Sequence, residues 1–287
     1  MAEELIQDVS DTAFMIAAYR ELETNRPDAL FSDPLATRLA GNQGRKIIAT
    51  RKYTSIIAWT VAVRTVIIDQ FIQSALTQGV DTVLNLGAGL DTRPYRMNLP
   101  QSLRWIEVDF PHVLEWKEKL LAGEKPLCRL ERIKMDLTDV LARQKQLSEI
   151  NAGSQRILVL TEGVVPYLSV EDAAVLADDL RRMDKTHFWI IENVSSQTMR
   201  YRKRQEHKGR LGNAHFRFNP PDWFGFFDGH GWKPKEIRYY SEDAVKLKRP
   251  IPVPGLLKLW VKIRRWFSFG RQGASQHFCG YVLLEPK

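Results

Sequence analysis

Three acidic residues and a glycine-rich turn lie where strands of a sheet are predicted to end. The turn, Gly87-Ala88-Gly89, closes the apolar segment 81–87, and Asp109, Asp136 and Glu162 lie at the ends of later apolar segments. Because glycine has no side chain, the backbone of such a turn can approach a ligand closely. Open α/β sheets bind ligands beside the carboxyl ends of their strands. The turn alone is a weak indication, since a tight turn without a ligand needs the same glycines.

The spacing of the three acids indicates what the ligand carries. Asp109 lies 20 residues after Gly89, where a carboxylate can accept hydrogen bonds from both ribose hydroxyls of an adenosine. Asp136 and Glu162 follow the third and fourth strands, so the three carboxylates converge on one crevice. The alternative is that each acid caps the next helix, which is easier to accept for one acid than for three.

Two residues near the turn separate the candidate nucleotide cofactors. A dinucleotide fingerprint has a third glycine where this chain has Thr92, and Pro94 lies just beyond the turn. A pyrophosphate needs free N–H groups at a helix terminus. S-adenosylmethionine has no phosphate, and its ammonium, ribose hydroxyls and adenine amino group are hydrogen-bond donors that suit carboxylates. The residues therefore favour S-adenosylmethionine.

These residues must be positioned by strands that alternate with helices after residue 79. Short apolar, β-branched segments separated by helical patterns indicate a parallel sheet covered on both faces. The last two segments have no evident helical crossover, which favours an antiparallel pair at the sheet edge. The predicted strands are 81–87, 103–109, 129–136, 156–163, 187–193, 235–241 and 277–285, and the predicted helices are 11–24, 34–41, 54–78, 111–122, 137–149 and 170–184.

The composition excludes several classes of protein. The chain has 287 residues, 44% apolar and 26% charged, which rules out collagen-like, low-complexity and wholly disordered chains. Cys128 and Cys279 cannot make a disulfide framework and have no metal-ligand spacing around them, so no metal is expected. The N-terminus lacks the apolar stretch of a secretory signal, and Arg64 and Asp69 interrupt the apolar stretch 54–72. Both features predict a cytoplasmic protein without a membrane span.

Six segments of the chain resemble the leucine carboxyl methyltransferase family. The combination of LGAGLDTR with EVDFP at this spacing is specific to the family, and the chain is most similar to the bacterial branch of polyketide O-methyltransferases. The likeness runs from about residue 12 to 285 and weakens over 195–275. The segments are 12–36, 61–69, 85–96, 107–117, 136–137 and 162–168.

The resemblance implies a class I, Rossmann-like methyltransferase fold. Its sheet has seven strands, mostly parallel with an antiparallel edge strand, and N-terminal helices fold over the cofactor, S-adenosyl-L-methionine. We therefore expect residues 1–78 to form a helical cap and residues 79–287 to form the cofactor-binding core.

The resemblance also implies roles for individual residues at the cofactor. A buried Arg64 within an apolar helix agrees with a carboxylate partner, because an unpaired buried arginine is costly. The alternative partner for Arg64 is Asp69 or another acid of the protein. By resemblance, Arg64 binds the cofactor carboxylate, Gly87, Ala88 and Gly89 form the turn beneath its methionine part, Asp109 holds the ribose, Asp136 and Leu137 frame the adenine, and Glu162 meets the amino-acid end.

The methyl acceptor is the least defined part of the site. Tyr167, after the fourth strand, and His215 are the candidate acceptor-site residues, although a histidine bonded to loop backbone explains His215 equally well. A carboxylate acceptor is ionised at neutral pH and needs no base, whereas a phenol or alcohol benefits from one. The acceptor chemistry thus decides whether a catalytic residue is needed, and that question stays open.

A basic region lies near the carboxyl end of the sequence. The net charge is +8, and residues 200–271 contain 18 basic and 6 acidic side chains. Within an insertion at about 245–272, residues 254–270 have the spacing of an amphipathic helix with a basic face. We favour a lid packed over the acceptor site, and the alternative is peripheral contact with an anionic membrane surface.

Together these features predict an S-adenosylmethionine-dependent O-methyltransferase that acts on a carboxylate or phenolic hydroxyl of a small or carrier-bound natural product. The alternatives are methylation of a protein C-terminal carboxylate, and a non-catalytic, membrane-associated protein that binds the cofactor. A nucleic-acid substrate is disfavoured, because the Asn-Pro-Pro-Tyr motif is absent after the fourth strand, where the chain reads EGVVPY from Glu162.

Overall fold

A computed structural model describes residues 9–50, 54–195, 198–200, 216–252 and 279–287. The helices are α1 (Val9–Thr24), α2 (Ala36–Ala49), α3 (Thr54–Thr77), α4 (Arg93–Arg96), α5 (Pro111–Leu120), α6 (Val140–Ala152), α7 (Val170–Arg182), α8 (Trp223–Gly229) and α9 (Tyr240–Lys246), with a short 3-10 turn at Val165–Tyr167. The strands are β1 (Thr82–Leu86), β2 (Arg104–Asp109), β3 (Arg129–Lys134), β4 (Ile157–Thr161), β5 (Thr186–Val194), β6 (Trp232–Tyr239) and β7 (Cys279–Pro286).

The strands of the described residues form one sheet in the order β3-β2-β1-β4-β5-β7-β6. Strands β1 to β5 are parallel to one another, and β7 runs antiparallel to both β5 and β6. The predicted mostly parallel sheet with an antiparallel edge pair is therefore confirmed. The reversal of strand order between β1 and β4 creates the crevice at which such sheets bind ligands.

One helix boundary predicted from the sequence is wrong. A helix was expected to end near Gly41, but α2 continues to Ala49. Gly41 has φ of 53°, which kinks the helix without ending it, and glycine adopts this backbone conformation at little steric cost. A second glycine, Gly44, brings α1 and α2 into backbone contact: a Cβ there would lie 2.4 Å from the carbonyl oxygen of Phe14.

Two apolar layers enclose the sheet. Alternate side chains of a strand point to opposite faces, so Val83 packs in the layer that contains α3 and α9, whereas Leu84 packs in the layer that contains α6, α7 and α8. The helix α3 is long and apolar enough to span a membrane by length and composition alone, but half of its most apolar window is buried against this protein.

The α3 face of the sheet becomes polar at the carboxyl ends of its strands. Asn85 follows Val83 on that face of β1, and Glu192 follows Ile190 on β5. Glu107 on β2 and Tyr281 on β7 are both fully buried. Buried polar groups need hydrogen-bond or charge partners, so this row of side chains requires a network of its own.

The Glu107 carboxylate anchors part of that network in the protein interior. Lys117 Nζ lies 2.7 Å from Glu107 Oε1, Arg132 Nε lies 2.9 Å from Glu107 Oε2, and neither Lys117 nor Glu107 is exposed to solvent. Removing one partner of a buried ion pair leaves an incompletely compensated charge. The Lys117–Glu107 pair therefore stabilises the fold only while both side chains are present.

We predict that Lys117→Met lowers the free energy of unfolding by about 3 kcal/mol, the lower end for breaking a buried pair, because Arg132 still faces Glu107. Lys119→Met is the matched control, since Lys119 is exposed on the same helix, and it should change the free energy of unfolding by less than about 0.5 kcal/mol. Chemical denaturation measures both variants. Equal free energies for the two variants would contradict the prediction.

Candidate cofactor and acceptor site

A cavity of about 370 Å³ lies at the carboxyl ends of β1, β2, β3 and β4. The helix α1 covers it with Thr12, Ala13, Met15, Ile16 and Arg20. The structure brings all of the cofactor residues expected from the sequence to this one cavity, which is lined by Arg64, Gly87, Ala88, Gly89, Asp109, Asp136, Leu137 and Glu162.

The glycine turn forms the floor of the cavity and needs both of its glycines. Gly87 has φ of 69° and Gly89 has φ of 48°, values that favour glycine. A Cβ on Gly87 would also lie 2.3 Å from Val164 Cγ2. The backbone of the turn is therefore held directly against the loop that follows β4.

The Asp109 carboxylate ties the turn to the end of β2. Its Oδ2 accepts a hydrogen bond from Gly89 N at 2.6 Å, and its Oδ1 accepts one from Phe110 N at 2.7 Å. Burial raises the pKa of Asp109 above its usual value, although both N–H donors act in the opposite direction. An ionised carboxylate offers about four acceptor positions, so Asp109 still has positions for the two hydroxyls of a ribose.

The other strand-end acids do not cap the helices that follow them. Asp136 Oδ1 accepts hydrogen bonds from the backbone N and the Oγ1 of Thr138, both at 2.8 Å. The cap of α6 is Asp139, and the cap of α7 is Ser169. Helix capping therefore does not account for Asp136 or Glu162.

Glu162 lies between two arginines at the opposite end of the cavity. Its Oε1 is 3.0 Å from Arg64 Nε, and its Oε2 accepts a hydrogen bond of 2.9 Å from an Arg93 terminal nitrogen. Burial alone would raise the pKa of Glu162, but the charges of Arg93 and Arg64 lower it below its usual value. Glu162 is therefore held as a carboxylate.

Arg93 extends this charged cluster behind the cavity. Its side chain is 3% exposed and pairs with Asp91 at 2.8 Å and with Asp69 at 2.6 Å, and Asp69 also pairs with Arg96 at 2.7 Å. Although burial opposes ionisation of Asp91, the charge of Arg93 lowers the pKa of that carboxyl below its usual value. Arg93 and Arg96 are thus held in salt bridges to acids of the protein.

Arg64 keeps hydrogen-bonding capacity toward the cavity. It pairs with Glu162, so the alternative expected from the sequence, a salt bridge to an acid of the protein, is present, although that acid is not Asp69. Its Nε makes no hydrogen bond, and its terminal nitrogens have no hydrogen-bond partner within the described parts of the chain. A planar guanidinium with free donors can bind a carboxylate with two parallel hydrogen bonds. The residues present therefore fit the carboxylate of an amino acid at this end of the cavity.

Sequence reasoning missed three residues of the site. Asn85 and Asp91 line the cavity, and Arg93 pairs with both Asp91 and Glu162. Asn85 could have been predicted from the sequence, because it is a polar residue within an apolar strand. Two of the acidic partners of Arg93, Asp69 and Glu162, lie 24 and 69 residues away, and no local pattern indicates contacts of that kind.

The residues expected on the acceptor side are described only in part. Tyr167 lines the cavity and makes an edge contact with Phe216, with ring centroids 5.0 Å apart. Arg217, an exposed residue, also lines the cavity. The expectations for His215 and for the basic segment 254–270 fall outside the described residues. The described residues contain no group of three or more His, Cys, Asp or Glu side chains that could hold a metal ion.

The sheet order and the cavity at its glycine turn define a class I methyltransferase. Solved structures with this fold include a methyltransferase from Thermobifida fusca, with a TM-score of 0.58, 14% identity, and coverage of 98% of this chain and 97% of that one. A protein from Streptomyces avermitilis has a TM-score of 0.50, 14% identity, and coverage of 94% and 96%.

Sequence comparisons identify the family. The family model described as leucine carboxyl methyltransferase matches residues 13–181, more than half of the chain. A Streptomyces coelicolor protein named as an S-adenosyl-L-methionine-dependent methyltransferase is 30% identical over 261 residues, which cover 84% of this chain and 88% of that protein. A Parafrankia protein of the same name is 31% identical, covering 85% and 83%.

The chain belongs to the leucine carboxyl methyltransferase family, and it is a methyltransferase whose cofactor is S-adenosyl-L-methionine. The predictions of family, fold class and cofactor made from the sequence are confirmed. The role expected for each lining residue stays a prediction.

We predict that Asp109→Ala weakens the binding of S-adenosylhomocysteine roughly 10- to 150-fold, because it removes hydrogen bonds to a charged group worth about 1.5–3 kcal/mol. Asp139→Ala is the matched control: it removes the cap of α6, three residues beyond Asp136, without touching the cavity. Titration calorimetry measures both affinities. Unchanged affinity in folded Asp109→Ala would refute the ribose role.

Glu192 adds a second, partly buried carboxyl beside Arg64. Its Oε2 accepts a hydrogen bond from Gly163 N at 3.0 Å, and its Oε1 accepts one from the Tyr281 hydroxyl at 2.8 Å. Burial raises the pKa of Glu192 above its usual value, although the charge of Arg64 acts to lower it. Glu192 and Glu162 thus have pKa values displaced in opposite directions.

We predict opposite pH dependences for two conservative variants. Because its folded-state pKa is raised, ionisation of Glu192 costs folding free energy once the pH rises above ~4.3. Glu192→Gln should therefore be more stable than wild type near neutral pH and converge with it in acid. Glu162→Gln should be less stable near neutral pH and also converge in acid, since the pKa of Glu162 is lowered in the folded protein. Thermal unfolding across the pH range measures the stability of both variants relative to wild type. A stability difference of the same sign in both variants near neutral pH would contradict the prediction.

Proposed function

We propose that this methyltransferase is an O-methyltransferase that acts on a carboxylate or a phenolic hydroxyl of a small or carrier-bound natural product. The observation that carries the proposal is one continuous cavity. It joins the Arg64–Glu162 end and the Asp109 carboxylate to a side lined by Tyr167 and the exposed Arg217. Residues suited to bind the cofactor and residues at the protein surface thus line the same cavity, as methyl transfer from a cofactor to an acceptor requires.

The residues of this chain contribute mainly by placing the two reactants. When bound, S-adenosyl-L-methionine supplies a methyl group already activated by the sulfonium. Arg64 and Asp109 would fix the two ends of the cofactor, and Met15 and Ile16 on α1 would exclude water from above. Alignment of reacting atoms within an enclosed site can lower a barrier by roughly 7–11 kcal/mol.

The partners of the cavity acids favour a carboxylate acceptor. Asp91 is bonded to Arg93, Asp109 accepts two backbone N–H groups, and Glu162 lies between two arginines. These carboxylates are held in structural contacts, whereas a phenol with a pKa near 10 would benefit from a free base. A carboxylate acceptor is ionised without one, and the cationic Arg217 on the acceptor side suits an anion.

A second candidate is methylation of the C-terminal carboxylate of a protein. The family model that matches residues 13–181 is described as leucine carboxyl methyltransferase, which is an activity on a carboxyl group. The match ends before Phe216 and Arg217, which contribute to the acceptor side. The family name therefore bears on the cofactor half of the site more than on the choice of acceptor.

The test supplies purified protein with cofactor labelled in the methyl group and with extracts of the organism that makes it. We expect a labelled small molecule or carrier-bound product whose label is released as methanol by alkali if it is an ester, and is retained if it is a phenyl ether. Labelled peptides would instead favour the second candidate.

Asp109→Ala should abolish most of this transfer, and Asp139→Ala should leave it intact. Label found on nitrogen or carbon of the product would contradict the proposal.

A further inference from the structure

Among the buried polar atoms of cavity-lining residues that lack a hydrogen-bond partner within the described residues, one is an acceptor. Asn85 lies on β1, lines the cavity and is 1% exposed. Its Nδ2 donates a hydrogen bond of 3.0 Å to Asp91 Oδ2, but its Oδ1 is buried without a partner. An unpaired buried acceptor is costly, so its presence in this strand calls for a donor from outside the chain.

The surroundings fix which way the Asn85 amide faces. Asp91 Oδ1 accepts a hydrogen bond from Arg93 N, and Asp91 Oδ2 accepts hydrogen bonds from Arg93 and from Asn85 Nδ2. Turning the amide over would place two acceptor oxygens against each other. The Nδ2 group must therefore face Asp91, and Oδ1 is the atom left for a ligand.

The donor can be assigned by elimination among the groups of the cofactor. Its donors are the ribose hydroxyls, the adenine amino group and the ammonium of the amino acid. Asp109 and Asp136 stand at the ends of β2 and β3, toward the nucleoside as the sequence predicts. Asn85 is instead linked through Asp91 and Arg93 to Glu162, at the amino-acid end.

Glu162 leaves the ammonium in need of a further acceptor. Its Oε1 lies against Arg64, and its Oε2 accepts a hydrogen bond from Arg93. We propose that Asn85 Oδ1 accepts a hydrogen bond from the α-ammonium of S-adenosyl-L-methionine, beside the charge of Glu162. This assignment rests on the cofactor lying in the cavity as proposed above, and it gives Asn85 a role in distinguishing the amino-acid end of the ligand.

The test compares two ligands in binding, without turnover. S-adenosylhomocysteine carries the amino group, and S-adenosyl-4-mercaptobutyrate is the same molecule without it. Titration calorimetry gives the ratio of the two dissociation constants for each protein. In wild type we expect the deaminated ligand to bind at least roughly tenfold more weakly, because it lacks hydrogen bonds from a charged donor.

In Asn85→Leu, which keeps the volume but not the acceptor, we expect that ratio to fall at least about fivefold. Asp136→Ala is the matched control, since it should weaken both ligands equally and leave the ratio unchanged. If Asn85→Leu does not fold, Asn85→Ser replaces it as the test variant, because it also removes the amide oxygen.

An unchanged ratio in a folded Asn85 variant overturns the proposal, as does equal binding of both ligands to wild type. Failure of S-adenosylhomocysteine to bind wild type at all would instead overturn the proposed site of the cofactor.

Discussion

The structure depends on one carboxylate held between two arginines at the rim of the sheet. Glu162 follows β4, Arg64 belongs to α3, and Arg93 belongs to α4, so three elements meet through their charges. Because all three side chains are largely buried, the cost of removing them from water is offset only when the partners are present together. The position of α3 on the sheet and the shape of the cavity are therefore set by the same contacts.

Much of the fold and part of the site could be predicted from the sequence. Strand ends are marked by Asp109 and Asp136, and the turn is marked by its glycines, because these features depend on short-range pattern and on the direction of parallel strands. The kink at Gly41 was not predictable in the same way. A glycine that ends a helix and one that bends it have the same local sequence, and packing of α1 against α2 decides between them.

The rest of the site depends on contacts between distant segments. Arg93 contacts Asp69 and Glu162 only after α3, α4 and β4 have assembled. On the α3 face of the sheet, Asn85 contacts Asp91 and Glu192 lies near Arg64, and the position of Glu192 follows from strand order rather than from spacing along the chain. The proposed acceptor side is also not visible in the sequence pattern, because Tyr167 and Arg217 are 50 residues apart and are brought together by backbone hydrogen bonds to Pro166.

The backbone contact at Gly44 has a consequence for how ligands enter and leave. The helix α1 forms the roof of the cavity, and at Phe14 its carbonyl oxygen lies against Gly44 of α2, where no side chain separates the two helices. Lifting α1 alone would break this contact and expose the apolar side chains that the two helices share, among them Ala18 and Leu39. Exit of the cofactor through this roof therefore requires α1 and α2 to move outward together or their shared contact to separate.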